Sequence, residues 1–568
     1  MKFLAEIVEQ SLELALANYD LSDSWKSALG PSREREQADI TLPCFVLAKE
    51  LGRNPMELAQ ELSELIQGQF EVNAVGGYLN FKAEPEWLIQ KILSSTPRAS
   101  KNSILIEHTS ANPNGPFHVG RARNAILGDA LVRLNRLYGN EVRAEYYVDD
   151  MGKQVAVLAW ALENLSKDEV ETILQDRDPV NEKWSGKQDH EIVRWYQAAQ
   201  VLRADGNEGI EQAIAKLVHE SETGNDRILE QFEQAYQPVL DGMLETLSRL
   251  GINFDTFTKE SKFVVDGSVS DIMERLSSLE INGIADNGAQ FLDLGQRGLK
   301  GKTEFFYRRG DGSSLYATRD IAYHIWKWSQ CDRLINVLGE DHKLQAKQVG
   351  LTLVELGHDI PDVLFYAFIK LPEGKMSTRK GNVVFMDDLL EEARHHAAEV
   401  VKSLRDDLTE DKIAHIAEAV GVSAVRFNIT KVSPDKGFTF RWEDALSFDG
   451  ESAPFVMYSH TRACSIAKRV GKEANFDSRG EISSSVYELA RTIALFEDRL
   501  ENSVQENKPH IFTNYLLELA TSYNAFYRDC HIFSDGEINE FYFALSEKTR
   551  SLLKSGMEGI GVIPLEEM

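Results

Sequence analysis

Two short segments of the sequence carry residues that could bind a phosphate chain. His118-Val119-Gly120 precedes a helix-like pattern, and the first turn of a helix offers free N–H groups and a partial positive charge. Gly120 would let a ligand approach the backbone closely. The second segment, Lys375 to Gly381, places three cations within six residues of a polar loop. Such charges could stabilise phosphate oxygens in a transition state.

The first segment lies between a predicted strand and a predicted helix. Residues 104–106 form a short apolar run, which is typical of a buried parallel strand. Residues 112–116 are rich in turn-forming types. The predicted helix has an apolar face formed at helical spacing by Leu127, Leu131, Leu134 and Tyr138.

Strand and helix patterns alternate from Ser103 onward, which predicts an α/β fold with a parallel sheet. A second strand is predicted at 146–148. After a charged helical insertion, the sheet is expected to resume at 291–293 and 305–307. Further strands are predicted at 333–338 and 363–369, with a helix at 342–356 between them.

The pattern divides the chain into three domains. Residues 1–98 are predicted to form an α+β domain whose last two strands meet at Gly76-Gly77. Residues 99–395 hold the parallel sheet, with the insertion at about 155–260, and residues 396–568 are predicted to be all-helical. The residues alone favour a packing role for the first domain over an RNA-contacting one.

Composition narrows the class of protein. A net charge of −28 argues against nonspecific coating of nucleic acid, although a local basic surface could still bind RNA. The nearest basic cluster is Arg462, Lys468, Arg469 and Lys472, which in isolation is read as a solvated helix face. The four cysteines form no CxxC pair, which indicates reduced thiols in a cytosolic protein. The amphipathic N-terminus is not a signal peptide, and no membrane span is expected.

The His-x-Gly segment and the lysine loop together resemble the two nucleotide-handling motifs of class I aminoacyl-tRNA synthetases. Longer segments narrow the resemblance to the arginyl-tRNA synthetases, particularly their archaeal-type branch. These segments are EHTSANP at 107–113, DDMGKQ at 149–154, SLYATRD at 314–320 and MSTRKG at 376–381. LSFDG at 446–450 and YSHTR at 458–462 resemble the helical anticodon-binding domain of that family. The N-terminal segment resembles its additional domain, which contacts the tRNA elbow.

The resemblance implies a Rossmann-like catalytic domain that activates L-arginine with ATP and transfers it to the 2′-hydroxyl of the terminal adenosine of tRNA-Arg. ATP is then a substrate, Mg²⁺ arrives with it, and the protein has no metal site of its own. The implied partners are tRNA-Arg, L-arginine and ATP. The implied state is a cytoplasmic monomer without membrane contact.

The chemistry of arginine agrees with this reading, because a planar guanidinium needs carboxylates in a rigid pocket. In the family, the positions of Tyr316 and Asp320 hold the guanidinium, with Glu107 assisting. Without the motifs these would be read as a packing aromatic and a surface acid. The residues implied for the other end of arginine are Ser110, Asn112 and His118, completed by Asp341 or His342. The residues implied for ATP are His118, Gly120, Arg121, Lys375, Met376, Ser377 and Lys380, of which His118, Gly120, Arg121, Lys375 and Lys380 are the candidate catalytic groups.

Two positions depart from the family pattern. Arg121 replaces the second histidine of the usual HxGH motif, and Thr378 replaces the second lysine of KMSKS. Lys380, with Lys375 beside it, is therefore the candidate for the charge near the leaving pyrophosphate. Two alternatives remain open at this stage. One is a paralogue that activates arginine for another acceptor, and the other is a protein that only binds tRNA.

Overall fold

The computed structural model describes residues 2–32, 38–95, 102–177, 180, 182–370, 384–447, 450–534 and 537–568. The predicted phosphate loop, with Lys375, Met376, Ser377 and Lys380, lies outside the described residues, as do Phe448 and Asp449. Within these ranges, every helix is too short or too polar to cross a membrane.

The N-terminal region is an antiparallel sheet covered by helices. Its strands follow the order β1-β2-β4-β3, and the β3–β4 hairpin turns at Gly76 and Gly77, whose φ angles are 58° and 85°. Only glycine adopts such angles at no steric cost. The elements are α1 Lys2–Leu16, β1 Gly30–Pro31, β2 Ile40–Pro43, α2 Phe45–Leu51, α3 Pro55–Leu65, β3 Phe70–Val75, β4 Tyr78–Ala83 and α4 Pro85–Ser94.

The central region begins with strands and helices in alternation. The elements are β5 Ser103–Glu107, α5 Val119–Leu137, β6 Glu141–Val148, α6 Lys153–Asn164, α7 Lys167–Ile173, α8 Gln188–Ala204, α9 Glu208–Glu222, α10 Asp226–Arg249 and β7 Thr256–Lys259. It continues with α11 Ser261–Val265, α12 Ser268–Ser277, β8 Asn282–Ile284, β9 Gln290–Asp293, β10 Glu304–Arg308, α13 Tyr316–Trp328, β11 Arg333–Gly339, α14 Lys343–Glu355, β12 Asp362–Tyr366 and β13 Ile369–Lys370.

Five of these strands form the predicted parallel sheet, in the order β12-β11-β5-β6-β7. Both faces of the sheet are covered, since the consecutive residues Ile104, Leu105 and Ile106 are all buried. β5 lies at the centre between β11 and β6, so the loop that follows β5 leaves the middle of the carboxyl edge. In open α/β sheets, ligands bind at that edge.

The expectation that the parallel sheet resumes at 291–293 and 305–307 is wrong. These residues lie in β9 and β10, which pair antiparallel with β8 in a separate three-stranded sheet. Short antiparallel strands need only a turn between them, whereas a parallel pair needs a crossover. An apolar run therefore indicates a strand without indicating its partner. The small sheet packs on α13 through Leu292, Phe305 and Tyr307, and Leu315 N–H donates to Tyr307 O at 3.0 Å. It thereby fixes where α13 begins.

The C-terminal region is helical apart from three two-residue strands. The elements are α15 Met386–Leu404, α16 Glu410–Thr430, β14 Phe438–Thr439, α17 Trp442–Ala445, α18 Ala453–Val470, α19 Ser484–Ala494, α20 Phe496–Gln505, α21 Pro509–Asp529, β15 Phe533–Ser534, β16 Glu537–Ile538 and α22 Glu540–Gly559. α16, α20, α21 and α22 pack against α5. This contact explains why α5 is buried on nearly all sides, whereas its sequence indicated one apolar face.

The first and last regions also contact each other directly. Arg491 of α19 forms a buried ion pair with Asp39 at 2.5 Å. The Tyr487 hydroxyl donates to Ala83 O at 2.9 Å. The N-terminal region therefore packs against the C-terminal helices, in addition to its covalent connection to the parallel-sheet region.

Candidate active site at the carboxyl edge of the parallel sheet

The loop after β5 is held in a strained conformation that aims its side chains. Thr109 and Ser110 have φ angles of 69° and 35°, which are costly for residues with a Cβ and occur mostly at functional sites. Thr109 N–H donates to Asn124 Oδ1 at 2.6 Å, and Ala111 N–H donates to the Tyr146 hydroxyl at 3.1 Å. The strand β6 and the helix α5 thus hold the loop from both sides.

Ser110 and Asn112 extend from this loop towards neighbouring strands. The Ser110 hydroxyl donates to Glu107 Oε1 at 3.1 Å and accepts from the Tyr147 N–H at 3.1 Å. Asn112 Nδ2 donates to Asp149 Oδ2 at 2.9 Å and to Gln154 Oε1 at 3.0 Å, at the start of α6. Both polar side chains therefore have fixed directions at the carboxyl edge.

His118 is the N-cap residue of α5, so the first turn of the helix begins directly after it. Burial, and then the nearby Arg121, lower the pKa of His118 to about 4, which leaves the imidazole neutral at physiological pH. A methyl group at Gly120 would lie 3.0 Å from His118 Nδ1. Arg121 Nη1 reaches back to Asn112 O at 3.4 Å, and burial lowers its pKa.

The described segment that follows the predicted phosphate loop pairs with this helix start. Val119 N–H donates to Val384 O at 3.0 Å, and Met386 N–H donates to Phe117 O at 2.8 Å. Residues 384–386 therefore lie beside His118. The sequence predicted that the His-x-Gly segment and the lysine loop belong to one sheet domain. In the fold, the residues that follow the lysine loop contact the start of α5.

A buried polar cluster, which sequence reasoning missed, holds that segment in place. Lys187 Nζ donates to Asp387 Oδ2 at 2.7 Å and to the Thr246 hydroxyl at 2.7 Å. His190 Nε2 lies 2.9 Å from the same carboxylate, and Asp189 lies 3.1 Å from the lysine. Asp189, His190 and Asp387 have the geometry of metal ligands, but the ammonium of Lys187 already supplies the positive charge. The cluster is therefore an internal ion pair.

Tyr316 and Asp320 lie in the first two turns of α13. Tyr316 is 51% exposed, and the guanidinium of Arg319 lies 4.5 Å from its ring centre. A methyl group at Gly152, where φ is 94°, would lie 3.0 Å from the Tyr316 hydroxyl. The tyrosine therefore packs over the turn between β6 and α6.

Asp320 and Glu107 line one small cavity of about 80 Å³ at the carboxyl edge. Asp320 Oδ1 lies 3.0 Å from His324 Nδ1. Burial would raise the pKa of Asp320, but His324 and Lys327 outweigh burial and hold the pKa below its usual value. Asp320 is therefore an anion in the cavity. The other lining residues are His324, Asn336, Leu338, His342, Gln345, Ala346, Val349, Pro361 and Val363.

The remaining predicted residues lie at the rim. Asp341 and His342 form a short 3₁₀ turn after β11, and their side chains are about half exposed. His342 lines the cavity, and its Nδ1 lies 3.3 Å from Gln345 Oε1. Among the described residues that line the cavity, neither Asp341 nor Tyr316 is found. Gln345 was missed because a glutamine in a helix gives no sequence signal.

A second charged group behind Tyr316 was also missed. Arg319 is buried, and its Nε lies 2.9 Å from Glu260 Oε1 and its Nη2 3.5 Å from Glu222, within ion-pair distance but without hydrogen-bond alignment. Burial raises the pKa of Asp149 and of Glu260. Arg319 and Asp149 lie within the motifs SLYATRD and DDMGKQ, and these motifs were the sequence signal that could have identified them. Glu260 follows β7 with no motif around it.

Comparisons with known proteins agree across the whole chain. Residues 85–442 match the family described as tRNA synthetases class I (R), catalytic domain. Residues 456–568 match the DALR anticodon binding domain, and residues 2–83 match the arginyl tRNA synthetase N terminal domain.

Full-length relatives point to the same family. The chain is 41% identical to an arginine–tRNA ligase of Methanocella arvoryzae over 94% of this chain and 95% of that protein. It is 38% identical to that of Methanocaldococcus jannaschii, over 91% and 92% of the two chains. Among solved structures, arginyl-tRNA synthetase from Thermus thermophilus superimposes with a TM-score of 0.82 at 26% identity, covering 100% of both chains.

Proposed function

The chain belongs to the arginyl-tRNA synthetases and is an arginine–tRNA ligase, and we propose how its residues carry out the two steps of that reaction. The observation that carries the assignment is the cavity that Glu107 and Asp320 share at the carboxyl edge of the sheet, the edge from which the loop leads from Glu107 to the helix start at His118. Two carboxylates and a helix N-terminus at one edge are suited to arginine and ATP together.

In the first step, the carboxylate of arginine attacks the α-phosphate of ATP and pyrophosphate leaves. Asp320 and Glu107 hold the guanidinium in the cavity, and Tyr316 closes the rim above it. Ser110, Asn112 and His118 orient the α-amino and carboxylate groups, with His342 or Asp341 at the opposite side. No covalent bond to the protein forms, so these residues act by holding the reacting atoms in line.

The nucleotide lies along the start of α5. The positive end of the α5 dipole at His118 faces its phosphates, and the bare Cα of Gly120 leaves room for them. Arg121, which is half-buried beside the loop carbonyl of Asn112, supplies a fixed positive charge in place of the usual histidine. A neutral His118 can donate one hydrogen bond and accept one, so it orients the nucleotide without adding charge.

Lys375 and Lys380, with Met376 and Ser377, are assigned to the phosphate chain through the family motif alone. Mg²⁺ bound to ATP would supply further positive charge to the phosphates. Lys380→Ala should lower the rate of pyrophosphate exchange at saturating arginine by about 100-fold, as loss of a charge that acts in the transition state does. An unchanged rate would remove Lys380 from this role.

In the second step, the 2′-hydroxyl of the terminal adenosine of tRNA-Arg attacks the adenylate. We assign the N-terminal domain to the tRNA elbow and the C-terminal helices to the anticodon. The guanidinium of Arg462 lies between the rings of Tyr458 and Tyr527, at 4.8 and 4.5 Å, and both rings are more than two-fifths exposed. Aromatic and arginine planes of this kind stack on unpaired bases.

The full-length match favours a ligase over a paralogue that delivers arginine elsewhere, since both flanking RNA-binding domains are retained. We propose that the enzyme acts as a cytoplasmic monomer. The arginine pocket is tested by pyrophosphate exchange with a panel of amino acids. Arginine should support exchange, whereas lysine, a point charge, and citrulline, an uncharged analogue of the same shape, should not. Equal exchange with citrulline would contradict the assigned carboxylate pocket.

A further inference from the structure

A fully buried lysine lies behind the two carboxylates of the cavity. Lys327 stands in the last turn of α13, and its side chain has no exposed surface. Its Nζ donates to Glu107 Oε2 at 2.6 Å and to Asn336 Oδ1 at 2.9 Å. The ammonium also lies 4.2 Å from the ring centre of Tyr323. Glu107 and Asn336 are neighbours across β5 and β11, so one cation links two adjacent strands.

The hydrogen bonds continue from this lysine to the second carboxylate, and each step fixes the next. An ammonium can only donate, so the Asn336 oxygen must face Lys327. Asn336 Nδ2 therefore donates to His324 Nε2 at 2.9 Å. An accepting Nε2 leaves the imidazole proton on Nδ1, which lies 2.8 Å from the backbone oxygen of Asp320 and 3.0 Å from its carboxylate Oδ1.

The network also sets the charge that the cavity presents. His324 Nε2 faces two donors, Asn336 at 2.9 Å and Lys327 at 3.4 Å, so it accepts from them. The two carboxylates contribute two negative charges and Lys327 contributes one positive charge. One uncompensated negative charge remains, which matches one guanidinium. An ion pair buried at this depth is stable only when its partners are also hydrogen-bonded, and here they are.

We propose that Lys327 is a positioning and specificity-determining residue for arginine, acting through Glu107 directly and through Asn336 and His324 on Asp320. This role rests on the function proposed above. The lysine does not touch the substrate. It holds both carboxylates in one orientation before arginine arrives, and it keeps the pocket from carrying a second unpaired negative charge.

Removal of the lysine charge has a distinctive consequence for binding. Among the described residues, the titratable groups that share the cavity with Glu107 are Asp320, His324 and His342. Behind it lie Glu145, Tyr147 and Tyr323, none of which can supply a positive charge, and burial raises the pKa of all three. In Lys327→Met, Glu107 therefore loses the cation it is paired with and keeps a proton to higher pH. Arginine must then displace that proton before it can use the carboxylate.

The experiment is pyrophosphate exchange by the full chain with tRNA-Arg, measured from about pH 6.5 to about pH 9, with separate Michaelis constants for arginine and ATP. For Lys327→Met, the arginine KM relative to the unaltered protein should be raised more than tenfold at the lowest pH. It should fall as pH rises, by up to about tenfold per pH unit. The ATP KM and the kcat should stay within about threefold.

Two further variants separate positioning from folding. Asn336→Leu keeps the Lys327–Glu107 pair and cuts the route to His324, so the arginine KM should rise about tenfold with no added pH dependence. Lys262→Met is the matched control, because Lys262 also lies over aromatic rings beside α13 but pairs with Asp266 away from the cavity. Its kinetics should not change.

An arginine KM for Lys327→Met that is unchanged, or raised equally at every pH, would overturn the proposal. If that variant does not fold, an unchanged arginine KM in Asn336→Leu would overturn it instead. Failure of the proposed function would look different, because the unaltered protein itself would then show no arginine-dependent exchange.

Discussion

The charge of Asp320 should contribute to arginine use and not to ATP use. Asp320→Asn keeps an oxygen that can accept from His324 Nδ1, at 3.0 Å in the present structure, so the substitution removes the negative charge and leaves the hydrogen-bond network intact. Loss of one partner of a buried charge pair costs about 2 to 5 kcal/mol. The Asp320 side chain keeps 29% of its surface exposed, which places the expected loss at the lower end, about 2 to 3 kcal/mol.

At about 1.4 kcal/mol per factor of ten, this loss lowers kcat/KM for arginine by about 30- to 150-fold. The assay is pyrophosphate exchange in the presence of tRNA-Arg, with arginine and ATP each varied. The ATP KM should stay within about twofold. Asp271→Asn, at an exposed position of α12 beside α13, is the control and should behave as the unaltered protein. A loss below threefold for arginine, or an equal loss for both substrates, would refute the assigned role of Asp320.

Three other predictions concern the surroundings of the site. Gly152→Ala requires a side chain at a φ of 94° and 3.0 Å from the Tyr316 hydroxyl, so the arginine KM should rise about tenfold while the ATP KM is unchanged; equal effects on both constants would contradict the contact. Lys187→Met leaves two buried carboxylates without their cation and should lower the free energy of unfolding by about 3 to 5 kcal/mol in denaturant titrations, whereas Lys216→Met at an exposed site should change it by less than about 0.5 kcal/mol. Burial lowers the pKa of His108 from 6.5 to about 4. The neutral imidazole therefore stabilises the fold fully above about pH 6.5, and about 3 kcal/mol of the free energy of unfolding is lost as the pH falls towards 4. His108→Asn should flatten that part of the curve of stability against pH, and an unchanged curve would exclude His108 as its cause.

The sequence identified the parallel sheet because consecutive apolar residues such as Ile104 to Ile106 are required where both faces are covered. It could not identify the separate antiparallel sheet. The segments around Phe291 and Phe305 are apolar in the same way as the parallel strands, and an apolar segment does not show which strand it pairs with. The same limit applies to α5. Its outer face is covered by helices that lie between Glu410 and Gly559, far later in the chain, and no local pattern in α5 records them.

Only part of the candidate site could likewise be predicted from the sequence. Motifs located Glu107, Asp320 and His342, which the fold brings to one cavity. Lys327 and Asn336 were missed because their role depends on the register of β5 with β11 and on where the last turn of α13 lies. A lysine in a helix is most often a solvated residue, and only the packing of the small antiparallel sheet on α13 places this one behind a carboxylate.

The most direct test of the arginine–tRNA ligase assignment is pyrophosphate exchange with arginine, with and without tRNA-Arg, followed by charging of that tRNA. The predicted result is exchange that depends on the presence of tRNA-Arg, followed by arginine attached to the terminal adenosine. Arginine-dependent exchange that never leads to charged tRNA would contradict the account, and it would identify a protein that activates arginine for a different acceptor.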